Sequence, residues 1–167
     1  MFYQDGPQLG LTEQSPIGPR FVNRYAETKA AGERLVQAYP GSWVIARPRA
    51  VFGPGDTVLF PRILAAAKAG KLPRFETGAA GPAMGDLIYV DTLVDYLLAL
   101  ALRRELTGAY NLTNAQPVPI QAFLLDVFAR LGLPAPTRTV SVRTALAAAT
   151  VTETLWTLLR RTGEPPI

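Results

Sequence analysis

Asn23-Arg24-Tyr25-Ala26-Glu27-Thr28-Lys29-Ala30-Ala31-Gly32-Glu33-Arg34-Leu35-Val36, closed by Pro40-Gly41 and followed by Trp43-Val44-Ile45-Ala46, is the stretch that decides the fold. Asn23 is a good N-cap, the run from Arg24 to Tyr39 is rich in Ala, Glu, Lys and Leu, and Pro40-Gly41 ends it, so a helix is expected. A compact apolar run of strand length directly after an amphipathic helix is what a parallel sheet with crossover helices produces. The same stretch sets Tyr25 and Lys29 four residues apart, on one helical face. A phenol is a poor base at neutral pH; moving its pKa from about 10 to about 7 takes roughly 4 kcal/mol in favour of the phenolate. An ammonium roughly 5 Å away supplies about 3 kcal/mol at an effective dielectric of about 20. A second positive charge nearby supplies the remainder and makes the phenol a usable general acid/base. The plain alternative is an exposed Tyr and Lys on an ordinary helix: with six Tyr and three Lys in 167 residues, chance alone gives ~0.1 such pairs.

Working outward, residues 1–22 lack periodicity and hold Pro7, Pro16 and Pro19 with Gly6, Gly10 and Gly18, which is loop composition. After the apolar strand, Arg47-Pro48-Arg49-Ala50-Val51-Phe52-Gly53-Pro54-Gly55-Asp56 reads as a loop. Phe60-Pro61 opens a short helix that stops at Gly70. Leu72 to Phe75 has the length of a short edge strand, and Gly78 to Gly85 reads as loop. Leu87-Ile88-Tyr89-Val90 reads as a strand, with Asp91 as N-cap of a helix from Thr92 to Arg104. Gly108 closes that helix, Ala109 to Thr113 is strand-like, and Pro117 to Pro119 introduces a helix ending at Gly132. A strand over Thr137 to Val142 precedes a last helix from about Thr144 to Arg161. No repeat or low-complexity tract interrupts the order, and nothing in the sequence has the form G-x-G-x-x-G after a strand.

Composition narrows the chemistry. A chain of 167 residues suffices for one ordinary domain, which at this size buries roughly 70% of its unfolded surface. With 49% hydrophobic and 18% charged residues, no apolar run long enough to span a bilayer and no basic-then-apolar leader at Met1, a soluble, cytoplasmic protein is expected. The absence of Cys and His removes thiol nucleophiles, thiolate metal sites, and the commonest general base and transition-metal ligand, so no metal site is expected. Chemistry by Tyr, Lys, Ser, Thr or carboxylates survives, as does chemistry by a cofactor that the protein positions. The net charge of +4 and pI near 9.7 come from cations spread along the chain. Arg103-Arg104 and Arg160-Arg161 fall near expected helix C-termini, where they complement the macrodipole. Nucleic acid is therefore not expected as a partner. A positive surface also attracts phosphorylated or dinucleotide ligands.

Several features now agree in order as well as type: Tyr25-x-x-x-Lys29, the apolar strand, Arg47-Pro48-Arg49, Val51-Phe52-Gly53-Pro54-Gly55-Asp56, Tyr89-Val90-Asp91 before a helix, and Gly108-Ala109-Tyr110-Asn111-Leu112-Thr113. This resembles the extended short-chain dehydrogenase/reductase family, in particular its sugar-nucleotide epimerase/dehydratase and 3-beta-hydroxysteroid dehydrogenase-like branch, over nearly all of residues 11–166. The resemblance implies an α/β fold: the C-terminal part of a Rossmann-like parallel sheet with crossover helices, plus a small α+β substrate-binding portion. The cofactor part corresponds to 1–58 and 86–114, and the substrate-binding part to 59–85 and 115–167.

The resemblance also implies roles. Tyr25 is similar to the family's catalytic acid/base. Lys29 is similar to the residue that lowers its pKa and hydrogen-bonds the nicotinamide ribose of NAD or NADP. Arg47-Pro48 resembles the turn lying against the nicotinamide, although Pro48 also serves as a plain strand terminator. Arg49 and Phe52 fall where substrate contacts are implied; Arg49 is otherwise an exposed loop charge. The implied reaction is oxidation or reduction at a carbinol carbon of a sugar-nucleotide or small hydroxy substrate, with epimerase, dehydratase and dehydrogenase outcomes open.

Departures from the family pattern qualify this expectation. The family's Gly-rich dinucleotide-binding half has no counterpart in the 167 residues. Its catalytic Ser or Thr belongs just ahead of a segment resembling Met1-Phe2-Tyr3, and Thr12 and Ser15 lie too far along to inherit that role. The chain is thus expected to behave as a truncated piece, Gly163-Glu164-Pro165-Pro166-Ile167 resembling a point where the family's chain continues. It is expected to have weak intrinsic activity, and to be a homo-oligomer or the complement of a missing N-terminal half. A non-catalytic binding or assembly module derived from the same family is the alternative.

Overall fold

The structure is a computed structural model and describes residues 3, 9–19, 21, 23–76, 78 and 81–158. The expected Arg160-Arg161 pair and the segments Met1-Phe2 and Gly163 to Ile167 lie outside the described residues. Thirteen elements follow one another: α1 (Arg24–Gln37), β1 (Val44–Pro48), β2 (Ala50–Phe52), α2 (Leu59–Lys68), β3 (Arg74–Phe75), β4 (Met84–Gly85), β5 (Leu87–Tyr89), α3 (Val90–Leu102), β6 (Gly108–Leu112), β7 (Val118–Pro119), α4 (Ile120–Arg130), β8 (Thr139–Val140) and α5 (Val142–Leu158). This is an α/β chain with parallel strand pairs and helices, a partial Rossmann-like fold.

The chain divides into two compact units, one of Met1–Arg62 with Met84–Ile120 and one of Ile63–Ala83 with Gln121–Ile167. In the first unit β1 pairs in parallel with β6, from Val44 opposite Gly108 to Pro48 opposite Leu112. β2 pairs in parallel with β5, from Ala50 opposite Leu87 to Phe52 opposite Tyr89. Asn114 stitches the two pairs together: its backbone N–H donates to the Leu87 carbonyl at 3.0 Å, and its side-chain oxygen accepts from the Tyr89 N–H at 3.2 Å. Ile45, Ile88 and Leu112 are buried there, and α3 packs against β1, β2 and β5. A short antiparallel pair, β4 with β7, completes the unit. In the second unit β3 runs parallel to β8. The Gln121 side chain bonds the Phe75 backbone in both directions, at 2.7 and 3.2 Å, tying α4 to β3.

Local sequence explains most element ends. Asn23 caps α1, its side-chain oxygen accepting the Ala26 N–H at 2.9 Å. Asp56 caps α2 with both carboxylate oxygens, accepting from the N–H groups of Val58, Leu59 and Phe60 at 2.8 to 2.9 Å. Those three backbone hydrogen bonds, Phe60's first, hold the Asp56 carboxyl below the usual carboxylate range.

Four expectations need correction. Arg47 and Pro48 are the last residues of β1 and Ala50 to Phe52 form β2, where a loop was expected; parallel partners β6 and β5 impose that extended conformation. Asp91 is not a cap: β5 runs straight into α3, Tyr89 takes the cap position without a side-chain bond, and Asp91 sits in the first helical turn. Its charge there still favours the helix N-terminus. Met84–Gly85 and Val118–Pro119, read as loop and helix entry, pair with each other as strands. The strands expected over 72–75 and 137–142 shrink to two residues each.

Candidate functional site

Tyr25 and Lys29 lie in α1 as the spacing required. The Lys29 Nζ stands 5.4 Å from the centroid of the Tyr25 ring, a cation–π distance. Tyr25 is 66% exposed and Lys29 is exposed as well, so both present their polar ends to an incoming molecule. The inward face of the same helix carries Ala26 and Ala30, packed with Phe21.

Arg47, expected at the nicotinamide turn, is the one buried charged side chain among the described residues, at 7% exposure. Its guanidinium faces α1. Nε donates to both Glu33 carboxylate oxygens at 3.0 and 3.1 Å, and Nη2 donates to one of them at 2.7 Å. Nη1 donates to the Tyr3 hydroxyl at 2.7 Å, which donates to the Asn111 side-chain oxygen at 2.7 Å. The Asn111 N–H in turn donates to a Glu13 carboxylate oxygen at 2.7 Å. Burial works to lower the Arg47 pKa, but the hydrogen bonds to Glu33 and Tyr3 and the field of those groups outweigh it and hold it above the ordinary arginine value.

The other residues expected at a site, Pro48, Phe52 and Arg49, occupy three places. Pro48 ends β1 exposed. Phe52 stacks edge-on to Tyr89, ring centroids 5.5 Å apart, and tilts against Phe60 at 5.8 Å. Arg49 lines a cleft of about 320 Å³ together with Tyr3, Glu13, Asp86, Asn111 and Thr113, whose lining includes neither Tyr25 nor Lys29. Asp86 holds one buried carboxylate oxygen without a hydrogen-bond partner, and Ala115 at the same cleft has φ of 55°. Among the described residues no group of three or more carboxylates stands together to hold a metal, and no helix is long and apolar enough to cross a membrane.

Glu33, Tyr3 and Asn111 were not singled out by the sequence. A signal for Glu33 existed: it continues the four-residue spacing of Tyr25 and Lys29. Tyr3 and Asn111 become neighbours only through the fold.

The parallel strand pairs with their helices place the chain in the class of Rossmann-like α/β folds. The chain belongs to the NAD dependent epimerase/dehydratase family, whose model matches residues 2–113. It is 35% identical over 170 residues to a 2-alkyl-3-oxoalkanoate reductase of Stenotrophomonas maltophilia (strain K279a), covering 96% of this chain and 51% of the relative. A 3beta-hydroxysteroid-dehydrogenase/decarboxylase isoform 1 of Arabidopsis thaliana is 30% identical over 164 residues, covering 90% of this chain and 37% of the relative. Among solved structures, the Bordetella bronchiseptica enzyme WbmG in complex with NAD and UDP superposes with a TM-score of 0.65 at 20% identity, over 84% of this chain and 45% of the other. That likeness is one of fold. Other solved relatives are complexes with NAD or NADP. The chain spans about half the length of the curated relatives it matches.

Proposed function

We propose that this chain carries the proton-transfer part of an NAD(P)-dependent oxidoreductase, with Tyr25 as general acid/base and Lys29 as its electrostatic partner. The observation that carries the reading is the exposed pair itself, Lys29 Nζ 5.4 Å from the Tyr25 ring centroid, on a chain of this family. In the oxidising direction the Tyr25 phenolate takes the hydroxyl proton as the carbinol C–H bond breaks; in the reducing direction the phenol returns a proton to the forming alkoxide. Lys29, within cation–π distance of the Tyr25 ring, offers its ammonium N–H donors to a ribose hydroxyl. A bound nicotinamide supplies or accepts the hydride. Tyr25 and Lys29, both exposed, suit that end of the cofactor. No Gly-rich turn for the pyrophosphate occurs in the 167 residues, so affinity for the cofactor by this chain alone is weak. The unit holding α1, β1 and β6 serves the cofactor and also carries the Arg49 cleft.

For the substrate we favour a small hydroxy or oxo acid over a sugar nucleotide. The relatives named for a 2-alkyl-3-oxoalkanoate and for a sterol-4-alpha-carboxylate share a 3-oxygenated carbon separated from a carboxylate by one alkyl-bearing carbon. Arg49 in its cleft is the cation we assign to such a carboxylate.

The test is NADH- or NADPH-linked reduction of 2-methyl-3-oxobutanoate by this chain complemented with the N-terminal half of the Stenotrophomonas reductase. Tyr25→Phe should cut turnover at least a hundredfold, and equal rates in the variant and the parent would discard the assignment. A second prediction concerns the uncomplemented chain: saturable micromolar cofactor binding in calorimetry would refute the weak affinity argued from the missing turn.

A further inference from the structure

We propose that Arg47 is a positioning residue: through Glu33 it sets the rotation of α1 about its own axis, and so the direction in which Tyr25 and Lys29 project. The inference rests on the Tyr–Lys reading above. The inward stripe of α1 is Ala26, Ala30 and Glu33, at i, i+4 and i+7. Two buried alanines make a smooth, shallow face that resists rolling weakly, since a methyl group presents little shape to interlock. The directional lock is the third member. The Glu33 carboxylate receives three hydrogen bonds from the Arg47 fork at 2.7 to 3.1 Å, with side-chain exposures of 6% and 13%. A planar fork on a planar carboxylate fixes orientation as well as distance.

Arg47 is itself held from behind. Its Nη1 donates to Tyr3, Tyr3 donates to Asn111 on β6, and the Asn111 backbone N–H donates to the Glu13 carboxylate. The clamp therefore joins α1 to both strands of the β1–β6 pair. Tyr25 and Lys29 each precede a buried alanine by one residue, about 100° around the helix. Any roll of α1 sweeps both groups sideways. A roll of about 20° moves a group about 6 Å from the axis by about 2 Å, well beyond the roughly 0.5 Å tolerance of a productive site.

The test separates orientation from stability by replacing both partners. In the full chain, Arg47→Met alone leaves Glu33 buried and unpaired and lowers the melting temperature. Adding Glu33→Met removes that penalty and restores most of it, because an apolar pair replaces a buried ion pair at little cost. If the fork sets rotation, the stable double variant still shows backbone amide dipolar couplings for Tyr25–Gln37 that no longer fit the parent's orientation relative to β1. Amide exchange in α1 should also be at least tenfold faster, with α4 unchanged. Arg47→Lys, which keeps the charge and loses the fork, should show the same reorientation. Parent-like dipolar couplings in the double variant and in Arg47→Lys would overturn the proposal. Should the double variant fail to fold, Glu33→Gln gives the same readout with near-identical shape. The turnover of Tyr25→Phe judges the Tyr–Lys reading separately, so the two ideas fail by different measurements.

Discussion

Arg47 grips Glu33 across fourteen residues of sequence with three charge-assisted hydrogen bonds, the shortest 2.7 Å. Removing one side of such a buried pair leaves an uncompensated charge, so Glu33→Ala should cost about 3–5 kcal/mol in urea unfolding. Because the Arg47 pKa is raised on folding, its contribution is intact below the unfolded arginine value and is lost only as pH rises through the folded one. Arg47 itself therefore adds no pH dependence to stability between about pH 5 and pH 10. A cost below about 1 kcal/mol for Glu33→Ala would show the pair to be energetically idle.

Asp56 makes the opposite acid–base prediction. Its carboxyl titrates below the usual carboxylate range in the folded chain because three backbone N–H groups bond the ionised form. Its contribution is therefore present above the unfolded value of about 3.9 and disappears as pH falls through the folded value. Asp56→Ala should lower the melting temperature near neutral pH, and the gap to the parent should close in strong acid. A gap that stays constant on acidification would contradict the capping role.

Gly53 cannot be replaced by alanine without strain. Its φ is 135°, and an added Cβ would stand 2.7 Å from Val90 Cγ1 and 3.0 Å from the Tyr89 ring. Gly53→Ala should destabilise the chain by about 1–3 kcal/mol and disturb the Phe52–Tyr89 contact, seen as shifted aromatic resonances. An unchanged melting temperature would mean that the turn relaxes freely.

One face of α3 carries Val94, Leu98 and Leu102, at 46%, 53% and 77% exposure, with Leu97 beside them at 43%. This four-residue spacing forms a stripe, and an exposed apolar stripe on the outer face of a helix favours self-association. The chain alone should elute above its 18.0 kDa mass in light scattering, and Leu98→Asp should shift it towards monomer. A monodisperse monomer with a sharp melt would remove the oligomer expectation.

Elements announced by local chemistry were legible in the sequence. Asn23, Pro40 and Gly41 bracket α1, and the strand read over Ala109 to Thr113 falls within one residue of β6, although Gly108, read as closing α3, stands six residues past its end at Leu102. The Tyr25–Lys29 spacing is a property of one helix, so its geometry could be read without the rest of the fold. What stayed hidden depends on residues distant in sequence. An arginine in a strand looks like a loop residue until Glu33 and Tyr3 are seen to neutralise and bond it. Val118–Pro119 is a strand only because Met84–Gly85 lies beside it. Asp91 differs for another reason: the usual cap residue stands within the first turn of a helix that β5 enters directly.

The parallel β1–β6 ladder also has a consequence for how the chain reaches its native state. β1 leaves the ribosome well before its partner, with β2, α2, β3, β4, β5 and α3 made in between. Until β6 emerges, Ile45 and the charged Arg47 have neither ladder nor cover on that side. Pairing so remote in sequence closes a long loop before any contact rewards it, which slows folding and prolongs exposure of sticky intermediates. The Glu33–Arg47 pair, by contrast, joins α1 to β1 across only fourteen residues and does not wait for β6.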